Sequence, residues 1–577
     1  MEKLSLKEFV SELTARLGRF THNELKAVIL EHATSLPPVK RQTYLDIFVL
    51  PVKPEPEKMQ KAEGERLLRE IEAFGKRAAN YEYTDGWGWD NEYGGERAWG
   101  DDSWAPEVDD LFEQIDELYE AGDYSLARQA YENLLDIYNG GNEEGRFSGY
   151  DHDEMIETDI DEVALRYLRC VYLTEKPSSR PDALFNAISG LHYGHDNLNM
   201  HGMINVSLEE LPGLDEFGKE WVAFLKIQGD SRIVSNLIKE GVRLFEGTKG
   251  LEILATESGQ QFPGSFVEWL EALKKEKKYK EMIRAATLGL EKLPENLVIR
   301  AGIADYLHEA AGKLKKVDMM ERSLKEALYA SPSLDRLLNF LDSAKNAEMR
   351  RALIDGALDR FHTIRKRESK TPQDFNRSPD HRENYVPGDL EMCCHLLKGD
   401  YFSVASLVTR SEPLGWSYGG NLNALAIPFF LYARWNRGKS LTANMSQLWE
   451  EATSLRTSSY NEREDYGSGD SGSRFRDYLE NVLKEYTVSD RDLNKYFKDA
   501  EKAAQKRIDA IVSGKHRKSY WKAARLILAI AETYWSNNEP DKGQRLIDQF
   551  REKYSRHSAF IRELRTMTGK SGLFSVR

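Results

Sequence analysis

Residues 267–338 narrow most sharply what this chain can become: VEWLEALKKEKKYKEMIRAATLGLEKLPENLVIRAGIADYLHEAAGKLKKVDMMERSLKEALYASPSLDRLL. Leu270 and Leu273 lead into a polar turn near Tyr279, after which Ile283, Ala286, Leu290 and Leu293 recur at helical spacing and Pro294 stops the run. The pattern resumes at Ile299, Ile303, Leu307 and Ala310, turns at Gly312, and continues through Met320, Leu324, Ala327 and Leu328 to Pro332. This is helix, turn, helix, twice over. A hairpin with one apolar stripe per helix cannot bury both stripes alone, so it needs a stacked neighbour, and stacked hairpins form an α-solenoid.

Other stretches fit the same scheme. In residues 108–138, Leu111, Ile115 and Leu118 line one helix, Gly122-Asp123-Tyr124 makes a turn, and Ala127, Ala130, Tyr131, Leu134 and Leu135 line the next. A small residue at Ala127 and an aromatic at Tyr131 sit where a tetratricopeptide repeat needs close approach and a packing knob; Leu111 replaces the aromatic usual in the first helix. The turn returns at Gly399-Asp400-Tyr401 and, more loosely, at residues 537–541. The expected fold is all-α, a tetratricopeptide-like α-solenoid of helical-hairpin repeats with a small N-terminal helical unit.

The expected layout has five parts. Residues 1–50 form the N-terminal unit of three short helices, with Thr21 and Asn23 as caps for the second and Pro37-Pro38 ending it. Residues 51–106 hold the linker PVKPEPEK, a helix with Leu67, Leu68, Ile71 and Phe74 on one side, and the loop YEYTDGWGWDNEYGGERAWGDDSWAP. Residues 107–454 form the solenoid, 455–475 a flexible loop, and 476–577 further C-terminal helical repeats. In the 81–106 loop, Trp87, Trp89, Trp99 and Trp104 either pin the segment to the solenoid or meet a partner; pinning is preferred, because an exposed aromatic cluster invites aggregation. Trp416, between Gly415 and an apolar helix at 424–433, is expected to anchor a turn, with a ligand or partner contact as the alternative.

Several phrases resemble the helical region that accompanies the SWIM zinc finger in bacterial proteins and that also occurs without the finger. They are LEKLPENLVIRAGIADYLHEAAGKL from Leu290, SLKEALYASPSLDRLLNFLDSA from Ser323, HLLKGDYFSVASLVTRSEPLGWS from His395, and YWKAARLILAIAETYWSNNEPDKGQRLIDQFREKYSRHSAFIRELR from Tyr520. With the Gly122 unit, the resemblance spans residues 108–565. It implies a helical-repeat fold, and nucleic-acid binding where the finger is present. The finger requires Cys-x-Cys followed by Cys-x-His, and this chain has no Cys-x-Cys. Cys393-Cys394-His395 falls in an expected helix, where neighbours point about 100° apart and cannot easily converge on one metal.

Charge and motifs narrow the function. A net charge of -14 repels polyanions, although RKRESK at 365–370, with Lys515, Arg517 and Lys518, is a local basic candidate. The charged start and the lack of a long apolar run predict neither signal peptide nor membrane span, hence a cytoplasmic protein. Three cysteines, two of them adjacent, argue against disulfides. Gly469-Asp470-Ser471-Gly472 looks like a serine-protease nucleophile loop but lacks the β-barrel that would assemble a triad. His192, His195 and His201 with Asp196 lack helical ligand spacing for zinc. Asp151, Asp153, Glu154, Glu157, Asp159 and Asp161 lack the ligand order of a calcium loop, so solvation or helix capping is preferred. No catalytic residue, cofactor or metal is expected.

The leading expectation is a noncatalytic scaffold binding a protein partner. A narrower version places it in a bacterial defence or CRISPR-associated complex, as a protease substrate cut at the 455–475 loop. The alternatives are a nucleic-acid-associated protein and an enzyme whose site is assembled from distant residues.

Overall fold

Four of the helices anticipated between residues 264 and 330 are Gly264–Lys275, Tyr279–Lys292, Ile299–Lys313 and Val317–Ala330. Leu270, Leu273, Ile283, Ala286, Leu290, Ile303, Leu307, Ala310, Ala327 and Leu328 are all buried, and each helix packs chiefly on its neighbours in sequence. The structure is a computed structural model. It describes residues 5–35, 40, 44–45, 61–90, 94–149, 151–191, 198–368, 378–408, 410–416, 421–454, 471–486 and 488–575. Among these residues there are 26 α-helices and one two-stranded sheet, so the chain is all-α in class.

One turn geometry recurs. At Gly122, Lys277, Lys315, Gly399, Lys515 and Asn538 the backbone is left-handed, with φ between 56° and 79°. The residue after each donates its N–H to the carbonyl five positions earlier: Asp123 to Leu118, Lys278 to Leu273, Lys316 to Ala311, Asp400 to His395, His516 to Ile511 and Glu539 to Tyr534, at 2.9–3.1 Å. This bond satisfies a helix-terminal carbonyl that would otherwise lack a donor, and it folds the chain straight into the next helix. The turn expected at Gly312 therefore falls three residues later, at Lys315.

The chain divides into two compact units, residues 1–257 with 376–378, and residues 258–375 with 379–577. The division falls inside the span 107–454 expected as one solenoid. Periodicity reports which face of a helix is buried; it does not report which helices share a core.

In the first unit, helix Lys61–Ala79 packs on Trp104–Glu120 and Tyr124–Glu143, so it belongs to the same core as the Gly122 hairpin. Leu67, Ile71 and Phe74 are buried there, as expected. Gly64 and Gly75 receive the side chains of Leu126 and Ile137: a Cβ on either glycine would lie 1.8 Å or 2.7 Å from them. The pairs advance together along both helices, which therefore run parallel.

The N-terminal helices are Leu6–Leu17 and His22–Ser35. Ser5 with Glu8, and Thr21 with Glu24, form reciprocal capping boxes, so Thr21 caps the second helix. Leu6, Phe9, Leu13 and Leu17 stay exposed, and the first helix buries none of its residues. The third expected helix lies mostly outside the described residues.

In the second unit the C-terminal helices do not form a separate stack. Every residue from Asn423 to Ala433 is buried, and this helix is covered by Ala443–Ser454, Asp490–Ser513 and Tyr520–Ser536. NALAIPFFLYA has no polar face, so neighbours must enclose it on all sides, which draws helices before 454 and after 471 into one core. The expected flexible loop at 455–475 is helical at its end, since helix Ser471–Glu485 begins there; residues 455–470 lie outside the described residues.

Glu532 is fully buried in this core. Its carboxylate accepts from Thr442 Oγ1 at 2.6 Å, Asn444 Nδ2 at 3.1 Å and Ser571 Oγ at 2.8 Å. Burial raises its pKa, and the three donors only partly offset this. The folded state thus holds the proton more tightly than the unfolded chain, so this group's contribution to stability falls as pH rises from the unfolded value of 4.5 through the folded one. Glu532→Gln should flatten that slope, while Glu532→Ala, which strands three donors, should cost about 2–3 kcal/mol; urea unfolding across pH 4–8 measures both. Gly122→Ala should cost about 1–2 kcal/mol from backbone conformation alone, because a Cβ there meets nothing within 4 Å. Lys277→Gly should be neutral or stabilising by up to about 1 kcal/mol in the same assay.

Candidate functional site

The segment expected as a loop contains a β-hairpin, Gly86–Asp90 paired antiparallel with Gly95–Trp99. GWGWD alternates small and large residues, and Gly94, at φ 70°, lies in the turn before the second strand. The register pairs Trp87 with Ala98 and Trp89 with Glu96, putting both indoles on one face; Trp99 and Arg97 share the other with Asp90.

Trp87, Trp89 and Trp99 are 63%, 60% and 40% exposed. Trp99 lies across Gly88, where a Cβ would come within 2.8 Å of its Nε1, and the Arg97 guanidinium covers the ring at 3.8 Å while pairing with Asp90 at 3.1 Å. Trp87 leans over Gly145 in the same way.

The hairpin is held from beneath. Gly149 donates its N–H to Ala98 at 2.9 Å, Asp85 donates to Trp99 at 2.6 Å, and Tyr83 gives its hydroxyl to Glu107 at 2.7 Å. Trp104 opens helix Trp104–Glu120 and is fully buried, stacked on Phe147 at 4.7 Å, with its indole N–H on the Ser148 carbonyl at 3.1 Å. Ser148 in turn donates to Asp102 at 2.6 Å. Pinning therefore describes Trp104, whose ring has no surface left for a partner, and Trp99, which is packed between Gly88 and Arg97. Backbone bonds and Trp104 do the anchoring, which leaves Trp87 and Trp89 outward.

The helix begun by Trp104 also walls a cleft of about 690 Å³ that runs from Pro106 to Arg166 and is lined by seven carboxylates and that single arginine. Asp109 is committed to the Glu157 and Thr158 N–H groups, and Asp116 to Arg166 and Tyr131. Asp159 caps helix Ile160–Thr174, so the capping reading suits that member of the acidic cluster, while Asp153 accepts from the Tyr138 hydroxyl. Asp110, Glu113 and Glu157 have no donor on their carboxylates among the described residues.

The remaining candidates are not assembled into sites. His192, His195 and Asp196 lie outside the described residues, and His201 sits in helix Met200–Asn205, where Glu240 caps its N–H at 2.9 Å. Among the described residues no cluster of three or more His, Cys, Asp or Glu could hold a metal. Gly469 and Asp470 are outside the described residues, and Ser471-Gly472 open a helix. Cys393, Cys394 and His395 lie in helix Leu390–Lys398 with both thiols buried and unbridged. Arg365 pairs with Glu391 at 2.7 Å and Arg367 with Glu383 at 3.1 Å, which neutralises much of the RKRESK patch.

Trp416 is half-buried against the second unit's core, with the Arg507 guanidinium over its ring at 3.8 Å. That partner is 91 positions away, so no local pattern could reveal it. No helix among the described residues is long and apolar enough to cross a membrane.

No protein-family model matches this chain. No curated protein matches it either. The site stands on its geometry.

Trp104→Ala should cost about 3–5 kcal/mol, while Trp87→Ala and Trp89→Ala should each stay within about 0.5 kcal/mol. Chemical unfolding of the full chain, followed by circular dichroism, separates the anchor from the displayed rings.

Proposed function

We propose that the protein is a noncatalytic helical-repeat scaffold that captures a protein partner through the tryptophan hairpin. The observation that carries this reading is the outward display of Trp87 and Trp89 on one face of a hairpin fixed by Trp104 and backbone hydrogen bonds. Tryptophans dominate binding energy where they are presented rigidly, since little entropy is then lost on association.

The surroundings indicate the partner's chemistry. Asp85, Glu96, Asp101 and Asp102 flank the indoles, and the acidic cleft starts on the adjoining helix. A segment rich in arginine or lysine would stack cations on the indole faces and place charge against Asp110, Glu113 and Glu157. The overall charge of -14 favours the same choice and disfavours polyanions. The recurrent left-handed turn supports the helical-repeat part of the reading. The narrower role as a protease-cut member of a bacterial defence complex gains no support, because its loop lies outside the described residues.

The test is affinity purification of the tagged full chain from its native cells, with and without nuclease, beside the triple variant Trp87→Ala/Trp89→Ala/Trp99→Ala. A stoichiometric basic protein should survive nuclease, dissociate as salt rises, and be lost with the triple variant. A partner retained equally by the triple variant, or recovered only with nucleic acid, would overturn the proposal.

A further inference from the structure

The N-terminal helices carry an apolar surface that is independent of the tryptophan hairpin and that the first unit leaves unused. Helix Leu6–Leu17 touches helix Met200–Asn205, yet none of its residues is buried. At about 100° per residue, Leu6, Phe9, Val10, Leu13 and Leu17 fall within one stripe roughly 100° wide. Glu8, which interacts electrostatically with His201 of helix Met200–Asn205, stands almost opposite that stripe. The helix thus turns its polar side to its neighbour and its apolar side outward.

The second helix, His22–Ser35, leaves Val28 and Ile29 exposed, and Phe20 is exposed between the two helices. No other stretch of similar length among the described residues exposes so many large apolar side chains, and a contiguous apolar surface of this kind marks an interface. The display is built in, because the capping boxes at Ser5 and Thr21 fix the start of both helices. With Phe20, Val28 and Ile29, the exposed part of the stripe offers on the order of 600 Å², most of the about 800 Å² that each partner gives to a standard interface.

We propose that this surface joins two copies of the chain, with helix Leu6–Leu17 packed antiparallel on the same helix of the second copy. Charge selects that occupant. Over residues 5–35, Lys7, Arg16, Arg19 and Lys26 balance Glu8, Glu12, Glu24 and Glu31, so the hairpin is neutral within a chain of -14. A strongly charged partner gains nothing on it, whereas a second copy meets no net repulsion. Spacing agrees. A two-fold contact needs a self-complementary patch, and the steps from Leu6 to Val10, Leu13 and Leu17 are four, three and four residues, the same read from either end. Turned antiparallel, Leu6 of one copy meets Leu17 of the other and Val10 meets Leu13. Arg16, held by Glu12 at 2.8 Å, then borders Phe9 of the other copy, and the two helix dipoles oppose.

The test measures the mass of the full-length protein by sedimentation velocity and light scattering through the micromolar range. Beside it run Leu13→Glu/Leu17→Glu and a control, Ser11→Glu, which charges the same helix away from the stripe. The wild type should be a dimer that persists as salt rises, because apolar contact holds it. Each substitution acts in both copies, so the double variant should weaken self-association by about a hundredfold or more. Its circular dichroism should match the wild type, since both leucines are exposed. Ser11→Glu should still dimerise. A wild type that stays monomeric through this range, a dimer dissolved by salt, a double variant that still dimerises, or equal loss with Ser11→Glu would overturn the proposal.

Discussion

An apolar stripe that one helix cannot bury by itself is the constraint on which this protein rests. Most of its helices are short, and helices of this length owe their stability to the face they cover on a neighbour rather than to intrinsic propensity. The left-handed turns at Gly122, Lys277, Lys315, Gly399, Lys515 and Asn538 make that neighbour the next helix in sequence. Where a helix carries apolar residues all round, as in Asn423–Arg434, the same requirement draws in helices from far along the chain. Linear pairing and the closed core of the second unit are thus two answers to one physical demand, set by how wide the stripe is.

Much of this was legible from residue spacing. Pro294, the stripe Ile283-Ala286-Leu290, and the cap Thr21 each name a local interaction, and each stands where its spacing placed it. The turns were legible only in part: Gly122 and Gly399 announce a left-handed residue, while Lys277, Lys315 and Lys515 do not, because helix ends on both sides force a conformation that lysine does not favour. The hairpin at residues 86–99 was read as a loop because glycine weakens a strand signal. Here Gly88 is the space into which the Trp99 ring folds.

The two candidate sites differ in how far sequence could reach them. Four tryptophans within eighteen residues draw attention at once, yet which of them faces out depends on Ser148, Phe147 and Gly149, supplied from beyond the next hairpin. The setting of Trp416 left no trace in sequence. Arg507 reads as one more cation on an amphipathic helix, and only folding lays its guanidinium over that ring and onto the Pro413 carbonyl.

The glycines of helix Lys61–Ala79 bear on how that helix is seated. Gly64 and Gly75 are eleven positions apart, as are Leu126 and Ile137, the side chains they receive. Eleven residues close on three helical turns and span about 16 Å. Two notches and two teeth at equal pitch behave as a key and its wards: a slip of one turn sets both teeth against occupied positions. Two absent methyl groups thus set how the helix ahead of the hairpin seats on Tyr124–Glu143.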